Sequence, residues 1–257
     1  MTQQEMYLLV PRKLREIEEE CGVRVLYAAE AGSRACGTNS EASDFDVRFI
    51  YIRSRAEYLR LDQTRDVMDF PIEDGWDMFG WDLTKTLQLL HSSNTQIFDW
   101  FHSGVVYLDD GFSRRFRPVL DTYFSPKTAA YHYLNQAEQK FKKVQKTDTP
   151  KVKRYLYALQ YLVAARWVLD HQAPAPVDFK TLNALLPDEI RCRAEELLVQ
   201  KTSRPDLPRT DRDSALESWL EAENMDVRRR IGQLPKETTR EWDLLNRFFL
   251  EELERNM

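Results

Sequence analysis

The sequence predicts an α+β protein: a small mixed β-sheet with flanking helices over residues 1–124, followed by an all-α region over residues 125–257. Three observations carry that prediction. Residues 23–29 (VRVLYAA) and 46–52 (DVRFIYI) read as strands rich in β-branched and aromatic side chains. Helical periodicity and hairpin signals surround them in the N-terminal half. From about residue 125 onward, apolar positions recur at helical spacing alone.

The elements follow in chain order. Met6, Leu9, Val10, Leu14 and Ile17 recur at helical spacing across residues 5–20, and Gly22 is placed to end that helix. The strand at residues 23–29 delivers the chain to Gly32, and the strand at 46–52 follows. Residues 66–71 and 76–81 flank the turn-like Glu73-Asp74-Gly75 and predict a hairpin. Asp82 then caps a helix over 83–91, with Leu83, Leu87 and Leu90 on one face. Two long amphipathic stretches, 131–144 and 152–169, are separated by the breaker Thr147-Asp148-Thr149-Pro150. Ala173-Pro174-Ala175-Pro176 forms a stiff loop before a helix near 179–186. Residues 202–213, with Pro205 and Pro208, read as a surface loop. Thr238 and Glu241 have the spacing of a capping box for a last helix carrying Trp242, Leu245, Phe248 and Phe249.

A chain of 257 residues accommodates two modest domains or one large one. Its 42% hydrophobic and 31% charged residues describe an ordinary soluble protein. No apolar run approaches the ~20 residues of a membrane span, and the N-terminus places its charges after a short apolar patch, the reverse of a secretory signal. Cys21, Cys36 and Cys192 are odd in number and scattered, which points to reduced thiols in the cytoplasm. Neither they nor the four histidines have metal-ligand spacing. A net charge of −5 argues against general coating of nucleic acid and leaves room for local basic patches.

One segment carries chemistry. Gly32-Ser33 precedes Asp44-Phe45-Asp46 by about ten residues, at the entrance to the second strand. Carboxylates at i and i+2 of a strand share one face, roughly 6.5–7 Å apart along the backbone, so both can reach a divalent cation. A loop of small residues can cradle phosphates through its N–H groups. Together these suit the handling of a nucleoside triphosphate. The bland alternative is a polar turn entering a strand. Against it, Asp44, Asp46 and Arg48 share one face while Phe45, Val47 and Phe49 line the other as core. Two-metal chemistry calls for a third carboxylate. Asp77, polar between Trp76 and Met78, is the candidate, and its competitor Asp82 is better explained as a helix cap. Arg34 and Arg48 could hold a triphosphate or pair with Asp44, Asp46 or Glu30. The run Lys140, Lys142, Lys143, Lys146, Lys151, Lys153 and Arg154 reads as a solvated face or as a phosphate-contacting patch. In the second case Lys153 and Tyr157 become nucleotide contacts, although Tyr155, Leu156, Leu159 and Leu162 fit a core stripe. Arg228-Arg229-Arg230 reads as surface.

These residues resemble the DNA polymerase β-type nucleotidyltransferase superfamily. The longer string Gly-Ser-Arg-Ala-x-Gly … Ser-Asp-x-Asp-Val-Arg-Phe-Ile-Tyr is similar to its RlaP-type members, which are associated with RNA repair. Further echoes are Tyr58-Leu59, Gly80-Trp81-Asp82-Leu83-x-Lys85, Ser93-Asn94 … Asp99-Trp100, and Lys153-Arg154-Tyr155-Leu156-Tyr157-Ala158-Leu159 followed by Ala164-Ala165-Arg166-Trp167. The resemblance runs from about residue 26 to residue 182. It implies a mixed-sheet nucleotidyltransferase core and a helical domain that closes over the nucleotide. It also implies two Mg²⁺ ions, with Mn²⁺ as an alternative, on Asp44, Asp46 and Asp77, and a triphosphate on Gly32 and Ser33. Cys36 stands where an aromatic residue is common, and Ala31 where a small hydroxyl residue often precedes the glycine. The implied reaction moves a nucleoside monophosphate from an NTP to an acceptor hydroxyl. An RNA 3′ end is the first expectation for that acceptor, a protein hydroxyl the second and a small molecule such as an aminoglycoside the third. A catalytically silent module that binds nucleotide or RNA is the reading from a different class.

Overall fold

The computed structural model describes residues 2–62, 64–72, 75–204, 208–235 and 240–256. Helix α1 (Gln3–Cys21) starts at a capping box in which Thr2 and Glu5 satisfy each other's backbone N–H groups. It ends at Gly22, whose φ of 62° lies in the left-handed region that glycine enters without a Cβ penalty. Met6, Val10, Leu14 and Ile17 are buried along one stripe, whereas Leu9, expected to join them, is exposed at its edge. Strand β1 (Val23–Glu30) leads into the short helix α2 (Gly32–Ala35). Strand β2 (Phe45–Arg53) is followed by α3 (Arg55–Tyr58), β3 (Val67–Asp69), β4 (Trp76–Asp82), α4 (Leu83–His91), α5 (Thr95–Phe101), β5 (Val106–Asp109) and α6 (Phe112–Thr122). Helices alone follow: α7 (Pro126–Gln145), α8 (Val152–His171), α9 (Phe179–Asn183), α10 (Asp188–Ser203), α11 (Ser214–Gln233) and α12 (Asp243–Arg255). No described helix is long and apolar enough to cross a membrane.

The described strands form one mixed sheet in the order β3-β4-β2-β1-β5. β2 and β4 run parallel, and every other neighbouring pair is antiparallel. Because successive strand residues point to opposite faces, β2 sends Phe45, Val47, Phe49 and Tyr51 into a core shared with Met6, Val10, Leu14 and Ile17 of α1. Gly80 of β4 pairs with Phe49, and a Cβ at Gly80 would stand 2.3 Å from the Phe49 ring. The glycine is therefore the socket for that ring. On the opposite face Tyr27 stacks on Phe101 at 4.4 Å and Trp81 on Trp100 at 4.0 Å. Phe101, Phe112, Phe116 and Phe248 continue that aromatic packing.

The chain falls into two compact units. One comprises Met1–Gly32, Asp44–Tyr123 and Thr239–Met257; the other comprises Ser33–Ser43 and Phe124–Thr238. The second unit has its own core, in which Ala129, Ala130, Tyr133 and Leu134 of α7 pack with Tyr155, Leu159 and Leu162 of α8 and with Ile190, Ala194, Leu216 and Leu220 of α10 and α11.

Several details differ from expectation. The last helix begins at Asp243 after Trp242, which makes no side-chain cap bond, so Glu241 precedes the helix and closes no capping box. Thr238, Pro205 and the hairpin-tip residues Glu73 and Asp74 lie outside the described residues. The loop placed at 202–213 begins later, since α10 runs through Ser203.

Candidate active site

The parallel register of β2 and β4 sets Asp46 opposite Asp77. The alternation that buries Phe45, Val47 and Phe49 turns Asp46 and Arg48 to the other face, where both are half-buried. Arg48 Nη2 donates to Asp46 Oδ1 at 3.0 Å and to Asp77 Oδ2 at 2.8 Å. Its Nη1 donates to the carbonyls of Asp77 at 2.7 Å and Val47 at 3.2 Å. One guanidinium thus holds two carboxylates from neighbouring strands in a fixed relation, the planar fork geometry that arginine supplies.

The carboxylates also act on each other. Burial pushes the Asp46 carboxyl up to about 6, against the pull of Arg48, and hydrogen bonding with Asp77 and the charges of Asp77 and Asp44 push in the same direction as burial. Acidic side chains crowded together this way gain from a cation. The donor set, oxygen from carboxylates alone, suits a hard ion such as Mg²⁺. As the side chains stand, no three His, Cys, Asp or Glu among the described residues form a group that could hold a metal ion. The close pair is Asp46 and Asp77; Asp44 is exposed, one residue before β2 begins, and its charge reaches Asp46 from there.

Two backbone features position Asp46. Its N–H donates to Glu30 Oε1 at 2.8 Å, and its carbonyl accepts from the Ala31 N–H at 2.8 Å. Glu30 is fully buried and also receives the Tyr107 hydroxyl. Gly32 has φ of 59°, and a Cβ there would lie 1.9 Å from Asp46 Oδ2. That carboxylate can occupy its place only beside a residue without a side chain. Asp82, the competitor for the third-carboxylate role, is 2% exposed and caps α4. It accepts from the Thr84 N–H at 2.8 Å and from the Tyr58 hydroxyl at 3.0 Å, and it pairs with Arg53 at 3.5 Å.

The structure places Gly32, Asp44, Asp46, Arg48 and Asp77 in the first unit and Ser33, Arg34, Lys153 and Tyr157 in the second. Ser33 is buried, and its carbonyl accepts from the Thr38 N–H at 2.8 Å. Arg34 closes the far end of the same loop by donating to the Ser43 carbonyl at 2.7 Å. Lys153 and Tyr157 are one helical turn apart on α8. Sequence reasoning passed over two neighbours of Tyr157. Lys140 Nζ, named there only within a charge run, and Lys201 Nζ, not named at all, each lie 5.7 Å from its ring centroid. Glu30 was weighed only as an ion-pair partner, and its position at the end of a buried strand just before Ala31-Gly32 is the signal that could have singled it out.

Comparison with known proteins gives the following similarities. The family described as "RlaP: RNA repair pathway DNA polymerase beta family" matches residues 6–251. A Bacillus subtilis (strain 168) protein named "Uncharacterized protein YcgL" is 34% identical over 245 residues, covering 94% of each chain. The crystal structure of a nucleotidyltransferase-like protein from Exiguobacterium sibiricum 255-15 aligns with a TM-score of 0.31 at 12% identity, over 85% of this chain and 73% of that one.

Proposed function

The chain belongs to the RlaP family, the RNA repair pathway DNA polymerase beta family, and from that premise we propose that it is a Mg²⁺-dependent nucleotidyltransferase acting on an RNA 3′ end. The observation that carries the reading is the in-register pair Asp46 and Asp77 held by Arg48. Asp46 and Asp77, with Asp44 beside them, would hold the divalent cations, Mg²⁺ or Mn²⁺, which supply charge neutralisation at the phosphates and acidify the acceptor hydroxyl. Gly32 leaves room for the Asp46 carboxylate and, with Ser33, offers backbone to the triphosphate. Arg48 keeps both carboxylates in place through the reaction. Asp77 takes the proton of the acceptor hydroxyl as that oxygen attacks the α-phosphate. The new bond joins acceptor oxygen to the α-phosphorus, the α–β bridging bond breaks, and pyrophosphate leaves. Arg34, Lys153 and Tyr157 are assigned to the nucleotide.

The RNA acceptor is supported by the family's description and by the lysines on α7 and α8. A cytoplasmic site of action is supported by three cysteines that form no disulfide. Incubation with each α-labelled NTP, Mg²⁺ and total RNA tests the whole reading. Label on RNA, removed by 3′-end trimming, is the expected result. Label on protein or on a small hydroxyl compound overturns the acceptor, and nucleotide binding without transfer overturns the activity.

A further inference from the structure

Three consecutive residues at the end of β1 hold Asp46. Glu30 accepts the Asp46 N–H, Ala31 donates to the Asp46 carbonyl, and Gly32 leaves the space that the Asp46 carboxylate fills. Anything that fixes residues 30–32 therefore fixes Asp46. Glu30 is the member that reaches across the sheet. Its N–H donates to the Val105 carbonyl at 2.9 Å, and its carbonyl accepts from Ser103 Oγ at 2.7 Å. Of its two side-chain oxygens, Oε1 takes the Asp46 N–H and Oε2 takes the Tyr107 hydroxyl. Because β1 lies between β2 and β5, this one side chain links the strand that carries Asp46 to the edge of the sheet. A fully buried carboxylate is costly unless its oxygens are hydrogen-bonded, and a hydrophobic side chain of similar volume would fill the same core without that cost. Tyr107 is fixed in turn. It is 7% exposed, its hydroxyl accepts from Gln3 Nε2 at 3.1 Å, and its ring centroid lies 5.6 Å from that of Tyr7 on α1. Burial and the bond to Glu30 hold the hydroxyl well above the usual tyrosine range, so it stays protonated and donates. Phenylalanine would meet the packing at this position equally well; the hydroxyl serves Glu30.

We propose that Glu30 and Tyr107 are positioning residues that set Asp46 for a divalent cation, so that the sheet-edge segment of residues 103–107 governs cation affinity at the site. The inference rests on the nucleotidyltransferase reading only in taking Asp46 as a cation ligand.

Titration of the full chain with Mn²⁺, without nucleotide and followed by the electron paramagnetic resonance of the free ion, separates cation binding from turnover. Partners behind a metal ligand alter affinity or activity by about 10–100-fold. Tyr107→Phe is accordingly expected to weaken Mn²⁺ binding about tenfold, the low end of that range, with kcat falling by a similar factor and KM for NTP at saturating metal unchanged. Glu30→Gln keeps a carbonyl oxygen for the Asp46 N–H and is expected to lose a similar factor. The double variant is expected to lose no more than the larger single change, because both act through one contact. Tyr27→Phe is the control for lost folding. Tyr27 is 2% exposed and its hydroxyl donates to the Trp100 carbonyl at 3.0 Å, so the change forfeits a buried hydrogen bond of the same kind elsewhere on β1. It is expected to lower the melting temperature comparably and to leave Mn²⁺ binding as it was. The proposal is overturned if the unmodified chain binds no Mn²⁺, if Asp46→Asn leaves binding unchanged, or if Tyr107→Phe binds Mn²⁺ as the unmodified chain does. It is equally overturned if Tyr27→Phe weakens binding as much, or if the losses of Tyr107→Phe and Glu30→Gln multiply. Unaltered Mn²⁺ binding and full transfer by Tyr107→Phe sink the positioning role alone. Mn²⁺ binding that depends on Asp46 and Tyr107, in a chain that transfers no nucleotide, sinks the transferase reading alone.

Discussion

Gly32 shows how one missing side chain sets the geometry of the site. A Cβ at this position would stand 1.9 Å from Asp46 Oδ2, and the backbone φ of 59° is left-handed. Gly32→Ala therefore meets two penalties: about 1–2 kcal/mol for the backbone, and displacement of the Asp46 carboxylate. A shift of about 1 Å in a catalytic group costs roughly a hundredfold in rate, so the variant is expected to stay folded with a lowered melting temperature and lose at least that factor in nucleotide transfer. Steady-state kinetics beside thermal melting checks both halves. The residue pattern around Gly32 is also where the sequence is most informative. Asp46 is visible because strand alternation separates it from Phe45 and Val47, and Asp77 because it is polar between Trp76 and Met78. Lys201 is not visible in this way. It sits among Glu195, Glu196 and Gln200 on α10 and reads as solvated, and its burial comes from a loop 163 residues earlier in the chain.

At the scale of elements, two devices hold β4 where Asp77 needs it. The first is the Asp82 cap on α4, a buried carboxylate that also receives Tyr58 and Thr84 and pairs with Arg53. Losing an N-cap costs about 1 kcal/mol, and the stranded Arg53 and Tyr58 add to it at about 1–3 kcal/mol per unsatisfied group. Asp82→Ala is thus expected to lower stability in denaturant titration while leaving the KM for NTP near its original value. Asp77→Ala is expected to do the opposite, abolishing transfer with little loss of stability. The second device is Gly80, whose missing Cβ admits the Phe49 ring. Gly80→Ala is expected to destabilise by about 1–3 kcal/mol through overpacking, and Phe49→Leu in the same chain should recover part of that in a double-mutant cycle. Helix α1 follows directly from apolar periodicity and its caps, and α8 from the apolar positions that resume after the breaker at 147–150. β5 does not, because four residues of which Tyr107 alone is buried carry no usable alternation. The aromatic residues of α5 and α6 belong to a shared cluster with Phe248, a residue more than a hundred positions away, so local pattern alone does not define those helices. The capping-box spacing of Thr238 and Glu241 misled for a related reason: the helix that follows begins at Asp243, after Trp242 has stacked on His91 at 3.7 Å.

For the molecule as a whole, each unit has its own group of charged side chains. The sheet unit carries Asp46 and Asp77 beside Arg48, and the helical unit carries Lys140 and Lys201 against the Tyr157 ring. A net charge of −5 over the chain conceals that separation, which is why composition argues only against general nucleic-acid coating. The most direct measurement compares the unmodified chain with Asp46→Asn/Asp77→Asn, a near-isosteric pair of changes, in the α-labelled NTP and RNA reaction with Mg²⁺. Labelling of RNA by the unmodified chain and its loss by at least about a hundredfold in the variant, the scale on which preorganised charge acts, is the predicted result; full labelling by the variant would contradict the assignment of Asp46 and Asp77 as the centre of the reaction.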